Sequence, residues 1–236
     1  MDTFEHWVLL SLRGPVLFEG LFNPNIGLSP TDWKDLIGSE LDTQMPKQRI
    51  LHCLSRVPGI LHRVRNVDVD RDPSINTNTT IQDTSQQESM ASLAPLKIEL
   101  RGLYSTARSI GDQFHSRLCE VEAPGALNVV AATAPIGKVI SPVMLHAHYQ
   151  RTYAFAIIAA LYLNYTLMAM TTAKAMRAGD RNDSTDAALL QRDAVLLALD
   201  MLIIAETAVV YRPMGAIYLL LGLSAARMAV ELLVLR

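Results

Sequence analysis

The chain has 236 residues, 50% of them hydrophobic, with a formal net charge of −2 and a pI near 6.3. That length can bury one substantial core or two small ones, and the slightly acidic balance excludes the basic footprint of a stand-alone nucleic-acid binder. Its two cysteines, Cys53 and Cys119, lie far apart; they exclude a disulfide framework and a zinc-ligand set and predict a reducing intracellular compartment.

Taken in order, the N-terminus carries Asp2 and Glu5 and no basic run, so no secretory signal is expected. Residues 4–13 predict a short helix broken by Gly14-Pro15. Turn chemistry follows at Asn23-Pro24-Asn25 and Gly27. The run Ser29-Pro30-Thr31-Asp32 predicts a helix start, with Trp33, Leu36 and Ile37 on one face. Ile50, Leu51, Leu54 and Val57 give helical spacing over 46–65, and Pro58-Gly59 is expected to end or kink that helix. Lys47, Arg49, Arg56, Arg63 and Arg65 make the stretch basic. Such a face can bind phosphate, but we read it as the solvated outer side of an amphipathic helix.

From about 66 to 94 the apolar content collapses into Ser, Thr, Asn, Gln and Asp. Such a stretch cannot bury enough surface to offset its ordering entropy, and a disordered linker is predicted. The sequon Asn78-Thr79-Thr80 within it is read as a chance match. Over 96–121 a clean stripe resumes at Leu96, Leu100, Leu103, Ala107, Ile110, Phe114 and Leu118. Lys97, Glu99, Arg101, Arg108, Asp112, Arg117 and Glu120 lie on the other side. Gly102 and Gly111 each weaken such a helix by about 1 kcal/mol and are read as marks of close helix contact. Residues 122–145 are apolar but broken by Pro124, Gly125, Pro135, Gly137 and Pro142.

The last third is the most apolar part. Three helices are predicted there: one over about 143–177 opened by Pro142, one starting after a loop at 179–186, and one starting at Pro213. Gly179 is the expected stop of the first, and Ser184 or Thr185 the expected cap of the second. Thr152 to Ala173 is free of charge, about the roughly 20 residues a membrane span needs. The second helix, however, carries Asp193, Asp200 and Glu206, and a carboxylate at mid-membrane costs about 3 kcal/mol. The third is uncharged only from Pro213 to Ala226. The reading is therefore an all-α, multi-helix bundle around a buried apolar helix at about 143–177. Residues 1–65 form an N-terminal helical segment packing on the bundle, 66–94 a disordered linker, and 95–236 the C-terminal bundle. The competing reading is a small membrane protein with C-terminal transmembrane helices.

No catalytic constellation emerges. Ala134-Pro135-Ile136-Gly137-Lys138 fails as a phosphate loop: Ala132 stands where the first glycine belongs and Val139 where a Ser or Thr should bind magnesium. His146 and His148, two apart on a helix, point away from each other, and His52 beside Cys53 is no better placed. Asp193 and Asp200 share a face and are expected on a solvated edge. Glu206, among Ile203, Ile204 and Ala205, is expected to be buried and therefore paired, with Arg212 the nearest cation. No enzyme, no cofactor and no metal are expected.

Tyr149-Gln150-Arg151-Thr152-Tyr153, then Leu197-Ala198-Leu199-Asp200-Met201, then the stretch from Ala205-Glu206 through Tyr211-Arg212-Pro213-Met214-Gly215-Ala216-Ile217-Tyr218 form a recognisable series. It resembles the C-terminal regulatory region of fungal zinc-cluster transcription factors, nearest those that govern secondary-metabolite genes. Ser11 to Asn23 and Val57-Pro58-Gly59-Ile60-Leu61 are similar to the same family. The resemblance spans most of the chain outside 66–94, and 205–218 is its most specific part. It implies an all-helical, nuclear, non-enzymatic regulator acting through protein partners, either the transcription machinery or a DNA-binding regulator. Its motif residues here are Tyr149, Arg151, Tyr153, Glu206, Tyr211, Arg212, Pro213, Gly215 and Tyr218. The family's six-cysteine, two-zinc cluster has no counterpart among two cysteines, so direct DNA binding is not carried over.

Overall fold

The computed structural model describes residues 46–69, 82–123, 142–178, 181–208 and 216–234. Among these residues the chain is helical and without strands, in five helices: α1 (Pro46–Val69), α2 (Gln82–Glu122), α3 (Pro142–Ala178), α4 (Arg181–Thr207) and α5 (Ala216–Val234). The expected elements within 1–45 and the breaks at 124–137 and Gly179 lie outside the described residues. The chain divides into two compact units between Leu103 and Tyr104, inside α2.

In the first unit, α1 continues past Pro58-Gly59, where the sequence predicts a stop or kink. An interior proline costs about 3 kcal/mol. Ile50, Leu54, Val57 and Ile60 are all essentially inaccessible to solvent. Burying each is worth roughly 1.5–3 kcal/mol, so a single face of buried aliphatics on both sides of the proline outweighs the missing hydrogen bond. Helix α2 starts at Gln82 and carries Pro95 inside it, so the stretch expected to be disordered up to 94 is helical over its last part. Residues 82–94 contain Gln, Glu, Met, Ala and Leu and no glycine, all compatible with a helix. An exposed Arg56–Glu99 bond, with Nη2 and Nε at 2.6 and 2.9 Å from one carboxylate oxygen, ties α1 to α2. It removes Arg56 from the basic face and contributes at most about 1 kcal/mol.

In the second unit α3, α4 and α5 all pack on one another. Helix α3 is the hub. Every residue from Ala156 to Asn164 is buried, as are Thr152, Tyr153, Ala154, Thr166, Leu167, Met168 and Thr171. A helix apolar on all sides belongs at a centre. Its threonines fit there because their hydroxyls donate back along the helix: Thr152 to His148 O at 2.9 Å, Thr166 to Tyr162 O at 3.0 Å and Thr171 to Leu167 O at 2.8 Å. Among the described residues, Val143–Thr171 is the one stretch long and apolar enough to cross a membrane, and 78% of its most apolar window is buried against the rest of the chain.

The part of α2 in this unit buries Ala107, Ile110, Phe114 and Leu118, the stripe read from the sequence. Of the two glycines of α2, Gly111 faces α3: a Cβ there would sit 3.7 Å from the Ala156 Cβ and 3.8 Å from the Tyr153 ring. Gly102 is exposed, with open space where its Cβ would be. A closer approach occurs between α4 and α5, where a Cβ on Gly222 would overlap the Met201 side chain. Helix α4 begins at Arg181, ahead of the predicted caps at Ser184 and Thr185.

Candidate functional site

Helix α4 buries Ala194, Leu197, Ala198, Met201, Ile204 and Ala208 in the bundle it forms with α3 and α5, with Met201 against Gly222 of α5. Along one edge of that face lie Asp193 and Asp200, two helical turns apart. The sequence places both in solvent. They are instead half-buried, and each accepts a phenol proton. Tyr104 of α2 donates to Asp193 Oδ2 at 2.7 Å, and Tyr153 of α3 donates to Asp200 Oδ2 at 2.8 Å. Both aspartates are drawn inward by the phenols. A tyrosine buried at its ring must still find a partner for its hydroxyl, and on this edge the aspartates are within reach.

The row extends at both ends. Asn164 Nδ2 donates to Leu190 O at 2.9 Å and lies 3.4 Å from Tyr104 Oη. Gln150 Nε2 donates to Thr207 Oγ1 at 2.5 Å, and Thr207 Oγ1 is 3.0 Å from Ile203 O. Gln150, Tyr153 and Asn164 on α3 thus meet Thr207, Asp200 and Leu190 on α4. The chain order is reversed, as antiparallel neighbours require. Sliding α4 by one turn would break every rung, so the row fixes helix register. Gln150 Oε1 and Asn164 Oδ1 are buried with no partner among the described residues.

Burial pushes the Tyr104 phenol well above its ordinary range, and Asp193 adds to the shift. Burial does the same to Tyr153, reinforced by its bond to Asp200. Both phenols therefore stay protonated and act as donors, not as nucleophiles or bases. Burial also raises the Cys53 thiol to about 11, which leaves it unreactive at neutral pH. Burial, helped by the charge of Arg56, lowers His52 and favours its neutral form.

At the start of α3 a second group of side chains gathers. His115 stacks on the Tyr153 ring with centroids 5.0 Å apart. Phe114 meets the edges of Tyr149 and His148 at 5.8 and 6.5 Å, and the Arg117 guanidinium lies 6.0 Å from both the Phe114 and the Tyr149 ring centres. His146 Nε2 is 2.8 Å from Glu122 Oε1, while His148 packs by Phe114. The two histidines therefore have different surroundings, as their spacing predicts. Among the described residues no three His, Cys, Asp or Glu side chains are placed to hold a metal.

The motif residues scatter accordingly. Tyr149 is in the aromatic group, Tyr153 is in the polar row, and Arg151 is exposed. Glu206 is exposed as well, so it is not the buried carboxylate the sequence suggests and requires no partner. The helix turns it towards solvent with Leu199 and Ile203, away from Ile204. Tyr211, Arg212, Pro213 and Gly215 lie outside the described residues, as does the side chain of Tyr218. Reading the sequence missed Tyr104, Gln150 and Asn164 as partners of α4. The signal available was the presence of Gln150 and Asn164 on an otherwise apolar helix, where a buried amide demands a partner. Compared with protein-family models, with curated protein sequences and with solved structures, the chain matches none.

Proposed function

We propose that the chain is a non-enzymatic helical regulatory module, of the kind its motifs resemble in fungal zinc-cluster transcription factors. It acts in the nucleus through protein contacts on the control of secondary-metabolite genes. The observation that carries this reading is the outer face of α4. Val195, Leu196, Leu199, Leu202 and Ile203 all stand exposed on it. A continuous exposed apolar face on a folded domain is the mark of a contact surface. The half-buried carboxylates of α4 support the same reading, because Asp193 and Asp200 are engaged in hydrogen bonds that hold helices together. The test is a fluorescently tagged chain expressed in a fungal host, with transcript levels compared between the intact protein, its deletion and Leu199→Glu. Nuclear signal and transcripts altered by both changes support the proposal. An unchanged transcript profile on deletion refutes it.

The competing reading is a small membrane protein. It is favoured by the length and composition of Val143–Thr171. Carbonate extraction separates the two: protein that stays in the membrane pellet refutes the nuclear module.

A further inference from the structure

The exposed face of α4 has an internal symmetry. At 100° per residue, Val195, Leu196, Leu202 and Ile203 all lie within about 60° of Leu199. They fall at i±3 and i±4 from it, so every apolar position on one side has an apolar counterpart on the other. Their exposures are comparable: 38% for Val195, 46% for Leu196, 51% for Leu199, 52% for Leu202 and 59% for Ile203. The charges at the two ends are opposite. Arg192 at i−7 and Glu206 at i+7 are both exposed and lie on the same face, within about 20° of Leu199.

We propose that this face pairs with the same face of a second copy of the chain, as an antiparallel helix pair with its two-fold axis at Leu199. This rests on reading the face as a contact surface and names its occupant. A two-fold contact is self-complementary: the residue k positions after the axis meets the residue k positions before it on the other copy. Leu199 then meets Leu199, Leu196 meets Leu202 and Val195 meets Ile203. Arg192 of each copy meets Glu206 of the other. A parallel pair would bring Arg192 onto Arg192 and Glu206 onto Glu206, so the end charges select the antiparallel arrangement, as flanking charges do in coiled coils.

The test is sedimentation equilibrium of the full chain across a concentration series, with circular dichroism showing that each variant keeps its helix content. All altered residues are exposed, so the fold should persist. The intact protein should be a dimer at the upper concentrations. Leu199→Glu places two like charges at the axis and should weaken dimerisation by about 100-fold or more. Arg192→Glu or Glu206→Arg alone should weaken it by roughly 3- to 30-fold. Combining R192E with E206R should restore the intact affinity to within about 3-fold, since the pairs are re-formed with reversed sign. A chain monomeric at every concentration overturns the proposal, and so does a dimer indifferent to Leu199→Glu. A double reversal no tighter than the single ones also overturns it. If the intact chain is monomeric and transcripts still respond to Leu199→Glu, the self-pairing fails while the contact-surface reading of the face stands.

Discussion

Helices α2 and α4 sort their side chains by different rules. Helix α2 turns Ala107, Ile110, Phe114 and Leu118 inward and leaves Arg101, Asp112 and Glu120 in water. Helix α4 leaves Leu196, Leu199, Leu202 and Ile203 in water and draws Asp193 and Asp200 towards the bundle. Both faces of α4 are apolar, so hydrophobicity does not choose between them. Two other properties do. The inward face carries the small side chains Ala194, Ala198 and Ala208, all buried in the bundle. Its edge carries the acceptors that the Tyr104 and Tyr153 hydroxyls require. A helix with two apolar faces is thus oriented by size and hydrogen-bonding capacity, and its second face stays exposed.

The largest effect that can test this contrast lies between α3 and the outside of α4. Ile157 is 1% exposed and Leu189 is 59% exposed. Ile157→Ala should destabilise the fold by about 2–5 kcal/mol, and Leu189→Ala by no more than about 0.5 kcal/mol. Chemical denaturation of both variants reads the difference. Equal losses would mean that α4 is packed on both sides.

Next in size is the response to alkali. A group whose pKa is raised by folding keeps its proton in the folded state and loses it on unfolding. Its stabilisation is complete below the unfolded pKa and is lost as pH rises through the folded value. Cys53, raised from 9.0 to about 11, gives a loss beginning near pH 9, worth about 2–3 kcal/mol once both forms are ionised. Tyr104 and Tyr153 are shifted in the same direction, so their share begins nearer pH 10. Melting temperatures between pH 7 and 11 should fall, and Cys53→Ala should flatten the earlier part of the decline. A profile level to pH 11 would mean that these groups are wet.

Smaller again is the removal of one rung. Tyr153→Phe leaves Asp200 half-buried without its donor and should cost about 1–3 kcal/mol. Adding Asp200→Leu to that variant should recover part of the loss, because an apolar pair leaves no orphaned carboxylate. Asp200→Leu alone orphans the phenol instead and should not be neutral. Full additivity in this cycle would show that the two side chains do not interact.

Much of the architecture was legible before any coordinates. The all-helical class, the α2 stripe and the long apolar hub opened by Pro142 follow from local periodicity and composition, which need no knowledge of neighbours. Boundaries were less legible. Pro58 does not end α1, because buried side chains on both sides of it outweigh one lost hydrogen bond. The polar composition of 82–94 hides residues that are individually compatible with a helix. The candidate site was the least legible part. Asp193, Asp200 and Glu206 are three carboxylates on one helix, and their sequence neighbours suggested that Glu206 was the buried one. The reverse holds, because the placing of α4 against α3 depends on side chains 26 to 57 positions away.

The order of residues by itself determined that helices would form and which of them could sit at the centre, since both depend on spacing and on chemistry within a few turns. Only the tertiary structure decided which side of α4 faces inward. Two apolar faces of similar strength leave that choice to the contacts available across the interface, and those contacts exist only once Tyr104, Tyr153, Gln150 and Asn164 have been brought together.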